Sequence, residues 1–234
     1  MNKIHDFELE YAGKSLKIQI GKLAHQAHGS CTVQYGETVV LATAVSGREP
    51  REGIDYFPLM VDYEEKLYAA GKIKGSRWIK REGRATDEAV LTARMIDRSI
   101  RPLFKETERK DVQVMITVLS YDEENDPDVP ALIAASTALA ISPIPWGGPV
   151  AAVRIGQING EWVLNGTVEA KEKSDFDLYL AGSEDEVVMM EFAGKEVAEK
   201  TAAEAIVFGH KHLKKVIKLM KEIQDKVGVA KKME

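Results

Sequence analysis

Residues 131–141 read Ala-Leu-Ile-Ala-Ala-Ser-Thr-Ala-Leu-Ala-Ile, with no charge anywhere in the run. Alanine and leucine favour helix, and a helix that is apolar all round belongs inside a protein rather than on its surface. Pro143, Pro145, Gly147, Gly148 and Pro149 follow closely and end it. The sequence thus predicts a buried helix over 131–141, and that proline-glycine cluster is the predicted boundary between two lobes.

The segments on either side read mostly as strands. Residues 7–11 and 16–20 alternate apolar and polar around an Ala12-Gly13-Lys14 turn, and 31–35 and 38–45 repeat the pattern around Gly36-Glu37. Residues 38–45 are nearly all apolar or β-branched, which predicts a strand buried on both faces. Residues 60–63 extend the sheet, and 112–119 form a further strand. Between these, Thr86 as N-cap, Asp87 and Glu88 in the first turn and Pro102 beyond predict a helix over 87–101. After the boundary come two hairpins. Residues 150–155 and 162–164 turn at Asn159-Gly160, and 175–180 and 187–192 turn at Ser183-Glu184-Asp185. Apolar residues from Val197 to Ile223 recur at helical spacing with lysines on the other face, and Gly209 is expected to break or bend that helix. The element order predicts an α+β fold with two related lobes.

The chain of 234 residues carries 32 basic and 37 acidic side chains, a net charge of −5. Its 44% hydrophobic and 29% charged content is that of a globular protein. A lone cysteine, Cys31, excludes a disulfide framework and a multi-cysteine zinc site. No apolar run approaches the roughly 18 residues of a membrane span, and Met1 to Asp6 lack the apolar stretch of a signal peptide. A cytoplasmic, soluble chain with no membrane partner is therefore expected.

Charge is unevenly spread. Residues 72–110 hold 12 basic and 6 acidic side chains, so the remainder carries −11. Arg77, Lys80, Arg81 and Arg84 surround Trp78 between glycines. Cations beside an aromatic ring suit single-stranded RNA, the charges tracking phosphates and the ring stacking on a base. The alternative is that Trp78 packs the loop and the arginines make structural ion pairs. Arg94, Arg98 and Arg101, at i, i+4 and i+7, are expected to project from one helix face, with Asp97 able to pair with Arg94 or Arg101. Asp175 and Asp177 lie two apart on a strand and would share a face able to hold a magnesium, or would simply be solvated. The loop from Asp122 to Asp128, with five acids in seven residues, repels phosphate and reads as solvated. No Gly-Lys-Ser/Thr closes the stretch from Gly71 to Ser76, so it is not a P-loop, and no Gly-x-Ser-x-Gly elbow exists. Cys31 lacks a nucleophile's signature, His25 and His28 lack a third ligand, and His210 and His212 read as exposed.

Further motifs carry a resemblance. They include Ile96-Asp97-Arg98-Ser99-Ile100-Arg101-Pro102-Leu103-Phe104, Glu124-Asn125-Asp126-Pro127-Asp128 and Ser174-Asp175-Phe176-Asp177-Leu178, with the stretches at 35–43, 50–59, 61–73, 80–84 and 208–210. Over essentially its whole length the chain resembles the first RNase PH-like domain of the bacterial polynucleotide phosphorylase family. The resemblance implies an α+β, RNase PH-like fold (ribosomal protein S5 domain 2-like), with mixed sheets packed with helices. Its lobes would be 1–146, containing an RNA-channel loop at 72–84 and an arginine helix at 87–101, and 147–234, whose C-terminal helices lead towards a linker domain. It also implies 3′-to-5′ phosphorolysis of RNA, with Mg2+ as cofactor and inorganic phosphate as co-substrate. The implied partners are single-stranded RNA 3′ ends, two further copies in a homotrimeric ring, and RNA degradosome components.

Within that family, phosphate and metal residues belong chiefly to the second half of the protein. A serine-rich phosphate turn there corresponds to Asp126-Pro127-Asp128-Val129 here. Asp177 matches one metal-binding aspartate, but the other position holds Lys171. Asp175 and Asp177 thus mark a degenerate catalytic and metal site. The family's aromatic-aromatic-basic-basic channel loop corresponds to Trp78-Ile79-Lys80-Arg81, so Trp78, Lys80, Arg81 and Arg84 are the expected RNA contacts. Arg94, Arg98 and Arg101 match arginines that face phosphate in relatives. Three readings stay open: an RNA-guiding, ring-building half, a self-sufficient phosphorolytic exoribonuclease, and a non-catalytic exosome-type ring subunit. Asp126-Pro127-Asp128 favours the first.

Overall fold

The computed structural model describes residues 3–73 and 83–232. Strands β1 (His5–Tyr11), β2 (Lys14–Ile20), β3 (Gly29–Tyr35) and β4 (Thr38–Pro50) pair antiparallel in sequence order. β5 (Leu59–Glu65) and β6 (Lys110–Ser120) complete a sheet of order β1-β2-β3-β4-β6-β5. β5 runs parallel to β6, and parallel neighbours need a crossover, which helix α1 (Asp87–Ile100) supplies. Thr86 caps α1, its side chain accepting the Ala89 N–H at 3.1 Å. Helix α2 (Asp128–Ile141) follows. A second, antiparallel sheet of order β10-β9-β7-β8 is built from β7 (Ala151–Ile158), β8 (Glu161–Leu164), β9 (Phe176–Gly182) and β10 (Val187–Gly194). Helix α3 (Val168–Lys173) joins β8 to β9, and α4 (Glu199–Val227) closes the fold.

Every residue of α2 is buried. It packs on β3 and β4 of the first sheet, on β7 of the second and on α4, so all its faces meet protein, as its composition requires. Its few polar groups are satisfied locally. Thr137 donates to the Ile133 carbonyl at 2.7 Å, and Ser136 accepts the Val150 N–H at 3.0 Å. The Tyr11 hydroxyl crosses from the first sheet to the second, donating to the Ala152 carbonyl at 2.7 Å. Each fully buried leucine or isoleucine here contributes roughly 1.5–3 kcal/mol over an exposed one.

Several expectations need correction. α2 starts at Asp128, three residues early, because Pro130 is tolerated in a first turn whose N–H groups have no helical partner. β4 is not buried on both faces: Val40, Ala42 and Ala44 are buried while Val39, Leu41 and Thr43 are only half-covered, because α2 lies on one side of the sheet. α3 was not expected, although Thr167 accepts the Ala170 N–H and Lys171 and Lys173 stand in the last turn, as caps and dipole favour. Gly209 does not break α4, which is continuous through it. A Cβ there would sit 2.5 Å from Ile155 Cδ1 and 3.0 Å from Leu180 Cδ2, so the glycine lets the helix lie close against the sheet. His210 and His212 are half-buried, not exposed: His210 Nε2 lies 3.1 Å from the Ser183 carbonyl and His212 packs on Phe208. No helix among the described residues is long and apolar enough to cross a membrane.

Gly29 on β3 faces α2 even more tightly. A Cβ there would fall 2.0 Å from the Ala138 carbonyl oxygen, which is backbone and cannot rotate away. Gly29→Ala should lower stability by about 3 kcal/mol or more. Urea unfolding should show a lower midpoint, whereas a midpoint at or above that of the parent chain would contradict the close helix–sheet approach.

Candidate functional site

Where the two sheets meet, a cleft of about 730 Å³ opens between α1, the loop before α2, and strands β7, β9 and β10. Arg94 and Arg98 reach it from α1, Asp126 from the loop, Asp128 from the start of α2, Arg154 from β7, Lys171 from α3, Asp177 from β9 and Glu191 from β10.

Arg154 is its centre. Its side chain is only 15% exposed, and the guanidinium donates to Asp128 through Nε at 2.8 Å and Nη2 at 2.6 Å. A third nitrogen, Nη1, is hydrogen-bonded to Asp177, and Asp126 stands 3.9 Å away. The Tyr179 ring lies 5.4 Å beneath the guanidinium carbon. Burial works against the charge, but Asp128 and Asp177 outweigh it and hold the Arg154 pKa above its ordinary value. Asp128 also accepts its neighbour's N–H, that of Val129, at 2.6 Å. Lys171 pairs with Asp126, and Arg98 with Glu191. Arg94 makes no ion pair among the described residues.

The acidic loop is therefore structured, correcting the expectation of a merely solvated one. Asp122 organises it, accepting the backbone N–H groups of Glu37, Glu124 and Asn125 at 3.0, 3.0 and 2.7 Å and the Thr38 hydroxyl at 3.1 Å. Burial tends to raise this carboxyl, but these donors prevail and hold it at about 2.

Of the residues singled out from sequence, Arg94, Arg98 and Asp177 line the cleft, joined by Lys171 and Asp126-Pro127-Asp128. Two do not. Arg101 is not in the cleft wall with Arg94 and Arg98. At the end of α1 it turns back to Asp97, at 2.9 and 2.7 Å, and to the carbonyls of Phe57 and Leu59, because that carboxylate is one turn away. Asp175 precedes β9 and is exposed. Its backbone pairs with Gln157 and Lys195, and its side chain is not part of the cleft wall. Arg84 is exposed just ahead of α1, and Trp78, Lys80 and Arg81 lie outside the described residues. Sequence reasoning missed Arg154. The only signal was a charged residue interrupting the apolar run Val150 to Ile155.

The donor set does not fit a magnesium ion. Asp128 and Asp177 are the carboxylates nearest to sharing one, and the Arg154 guanidinium fills the place between them. Asp126 is engaged by Lys171. No cluster of three metal-ligating side chains occurs among the described residues. The cleft wall carries four cationic and six anionic side chains, which disfavours a phosphate.

This architecture is that of RNase PH-like proteins. It matches the crystal structure of rice (Oryza sativa) Rrp46 with a TM-score of 0.71 over 96% of this chain and 95% of that one, at 15% identity. The 3′ exoribonuclease family profiles match too, domain 1 over residues 12–145 and domain 2 over 148–212. The chain belongs to the 3′ exoribonuclease (RNase PH) family. It is 49% identical over 228 residues to polyribonucleotide nucleotidyltransferase of Syntrophomonas wolfei, and 52% identical over 226 residues to that of Staphylococcus saprophyticus. Each match covers 97% of this chain and 32% of the relative, so the chain spans about a third of their length.

Two measurements probe the cleft. Arg154→Met should cost about 3–5 kcal/mol, because it leaves the buried Asp128 carboxylate unpaired, and adding Asp128→Asn should recover part of that loss. Additive effects in urea unfolding would deny the coupling. The depressed pKa of Asp122 means its contribution is complete above the unfolded value near 4 and disappears as pH falls through about 2. Asp122→Ala should thus cost about 2 kcal/mol near neutrality and progressively less between pH 4 and 2. A pH-independent difference would exclude this role.

Proposed function

We propose that this chain is the first RNase PH-like half of a polyribonucleotide nucleotidyltransferase, and that it guides RNA and builds the ring rather than carrying out the chemistry. The parent reaction is phosphorolysis. A phosphate oxygen attacks the phosphorus of the terminal nucleotide, the bond to the preceding 3′ oxygen breaks, and a nucleoside diphosphate leaves an RNA one residue shorter with a free 3′ hydroxyl. Such chemistry needs uncompensated cations around the transferring phosphoryl group.

The observation that carries the reading is the Arg154–Asp128–Asp177 junction. It fills this cleft with internal ion pairs and leaves its wall with more anions than cations. In this reading phosphate and Mg2+ are handled by the other RNase PH-like half, with Asp175 and Asp177 taking no metal. Arg94 and Arg98 then serve the cleft and its neighbouring surfaces, and Arg101 buttresses α1. Trp78, Lys80, Arg81 and Arg84 grip single-stranded RNA on its way to that half. The parent works as a homotrimer in the cytoplasm, with degradosome components as further partners. The two lobes, 1–146 and 147–234, meet at the proline-glycine cluster, a division supported by family matches that stop at 145 and resume at 148.

The test is phosphate-dependent release of ADP from poly(A) by this chain with magnesium present. No release is expected, with poly(A) still bound. Lys80→Ala with Arg81→Ala should weaken that binding and reduce its log–log salt slope by about 1.4. Robust ADP release would reject the division of labour, and an unchanged slope would reject the channel loop.

A further inference from the structure

The outer face of α4 carries a row of cations without the excess of acids that surrounds the cleft. Residues 211–221 contain five lysines and no acidic side chain. Two of them have acidic company: Lys221 pairs with Glu184, which Lys214 also faces. Lys211, Lys215 and Lys218 are exposed and make no ion pair or hydrogen bond among the described residues. At 1.5 Å per residue they form a stripe about 10 Å long, opposite the buried side of the helix.

An aromatic stack adjoins that stripe. Trp162 of β8 lies on Phe208 with ring centroids 5.6 Å apart and planes within 23°, and His212 packs on Phe208 at 4.8 Å. All three rings are half-buried, so part of each reaches solvent. Phe208, Lys211, His212 and Lys215 fall at i, i+3, i+4 and i+7, so rings and charges share one flank. Burial, and then the nearby charges of Lys215 and Lys211, push the His212 pKa down.

We infer that this flank of α4 is a second RNA-binding surface, distinct from the channel loop, in which Lys211, Lys215 and Lys218 hold the phosphate backbone and the Trp162–Phe208 pair seats an unpaired base. A row of free cations beside aromatic rings is what sequence-tolerant binding of single strands requires. A lipid surface fits less well. A helix lying on a membrane exposes an apolar stripe, and that of α4 is packed against β7, β9 and α2. The inference rests on the proposed RNA-guiding function.

The experiment measures poly(A) affinity against salt for the full 234-residue chain and three variants. One carries Lys211→Gln, Lys215→Gln and Lys218→Gln, one carries Lys80→Ala and Arg81→Ala, and a charge-matched control replaces the exposed Lys3, Lys22 and Lys232 with glutamine. The α4 variant should bind about tenfold more weakly at low salt, with a log–log slope smaller by about 2, and the control should be unchanged. An α4 variant that binds like the parent, or a control that loses as much, overturns the inference. If the loop variant still weakens binding in that case, the RNA-guiding reading stands. No poly(A) binding by the parent chain overturns both. Loss of binding to phosphatidylserine vesicles with RNA binding intact overturns the inference in favour of a lipid surface.

Discussion

An arginine whose side chain is 15% exposed is tolerable only when carboxylates replace the water its guanidinium has lost, and Arg154 has two. They come from different elements, Asp128 from the start of α2 and Asp177 from β9, while Arg154 itself stands on β7. One charged junction therefore fixes the N-terminus of the central helix against the second sheet. The rest of α2 then sits between the sheets by burial alone, since none of its side chains beyond Asp128 is charged. Hydrophobic packing is tolerant of small shifts, whereas an arginine holding one carboxylate through two nitrogens is not.

The same junction explains why a cleft with cations in its wall is a poor phosphate site. The start of a helix offers free N–H groups and a partial positive charge, and so attracts anions. Here the chain supplies the anion itself. The Asp128 carboxylate accepts the Val129 N–H and two Arg154 bonds, which are the contacts an oxyanion ligand would otherwise take. A phosphate entering would have to displace a covalently tethered carboxylate and would meet Asp126 and Asp177 beside it. The contact that anchors the central helix is thus the same one that occupies the place of an anion at its N-terminus.

Much of the architecture was legible because it is periodic. The alternation of Val112, Val114, Ile116 and Val118 with less buried neighbours fixes β6, and the uncharged run before the proline cluster fixes α2. The Arg154 centre was not legible, because its partners lie 26 and 23 residues away and neither periodicity nor spacing announces a pairing across elements. Arg101 was legible in part: its pairing with Asp97 follows from the i, i+4 spacing, whereas its bonds to the carbonyls of Phe57 and Leu59 do not. The family resemblance matched Asp177 and Lys171 to two metal-site positions, and both line the cleft, whereas physical reasoning alone offered Asp175 and Asp177 as a magnesium pair or as solvated acids.

Gly209 shows local preference yielding to packing. Glycine is among the poorest helix formers, and in isolation it marks a break. In α4 the loss is offset because only a hydrogen at that position lets the helix approach Ile155 and Leu180. The consequence extends beyond the core. A helix broken at Gly209 would let the segment after it rotate, whereas a continuous one keeps Leu213, Val216, Ile217 and Met220 in register with the buried side of Ala205. With that register set, Lys211, Lys215 and Lys218 have only the solvent side left to them, and Phe208 is held where Trp162 can stack on it. The position of the free cations on the surface is therefore a result of how one glycine packs in the interior.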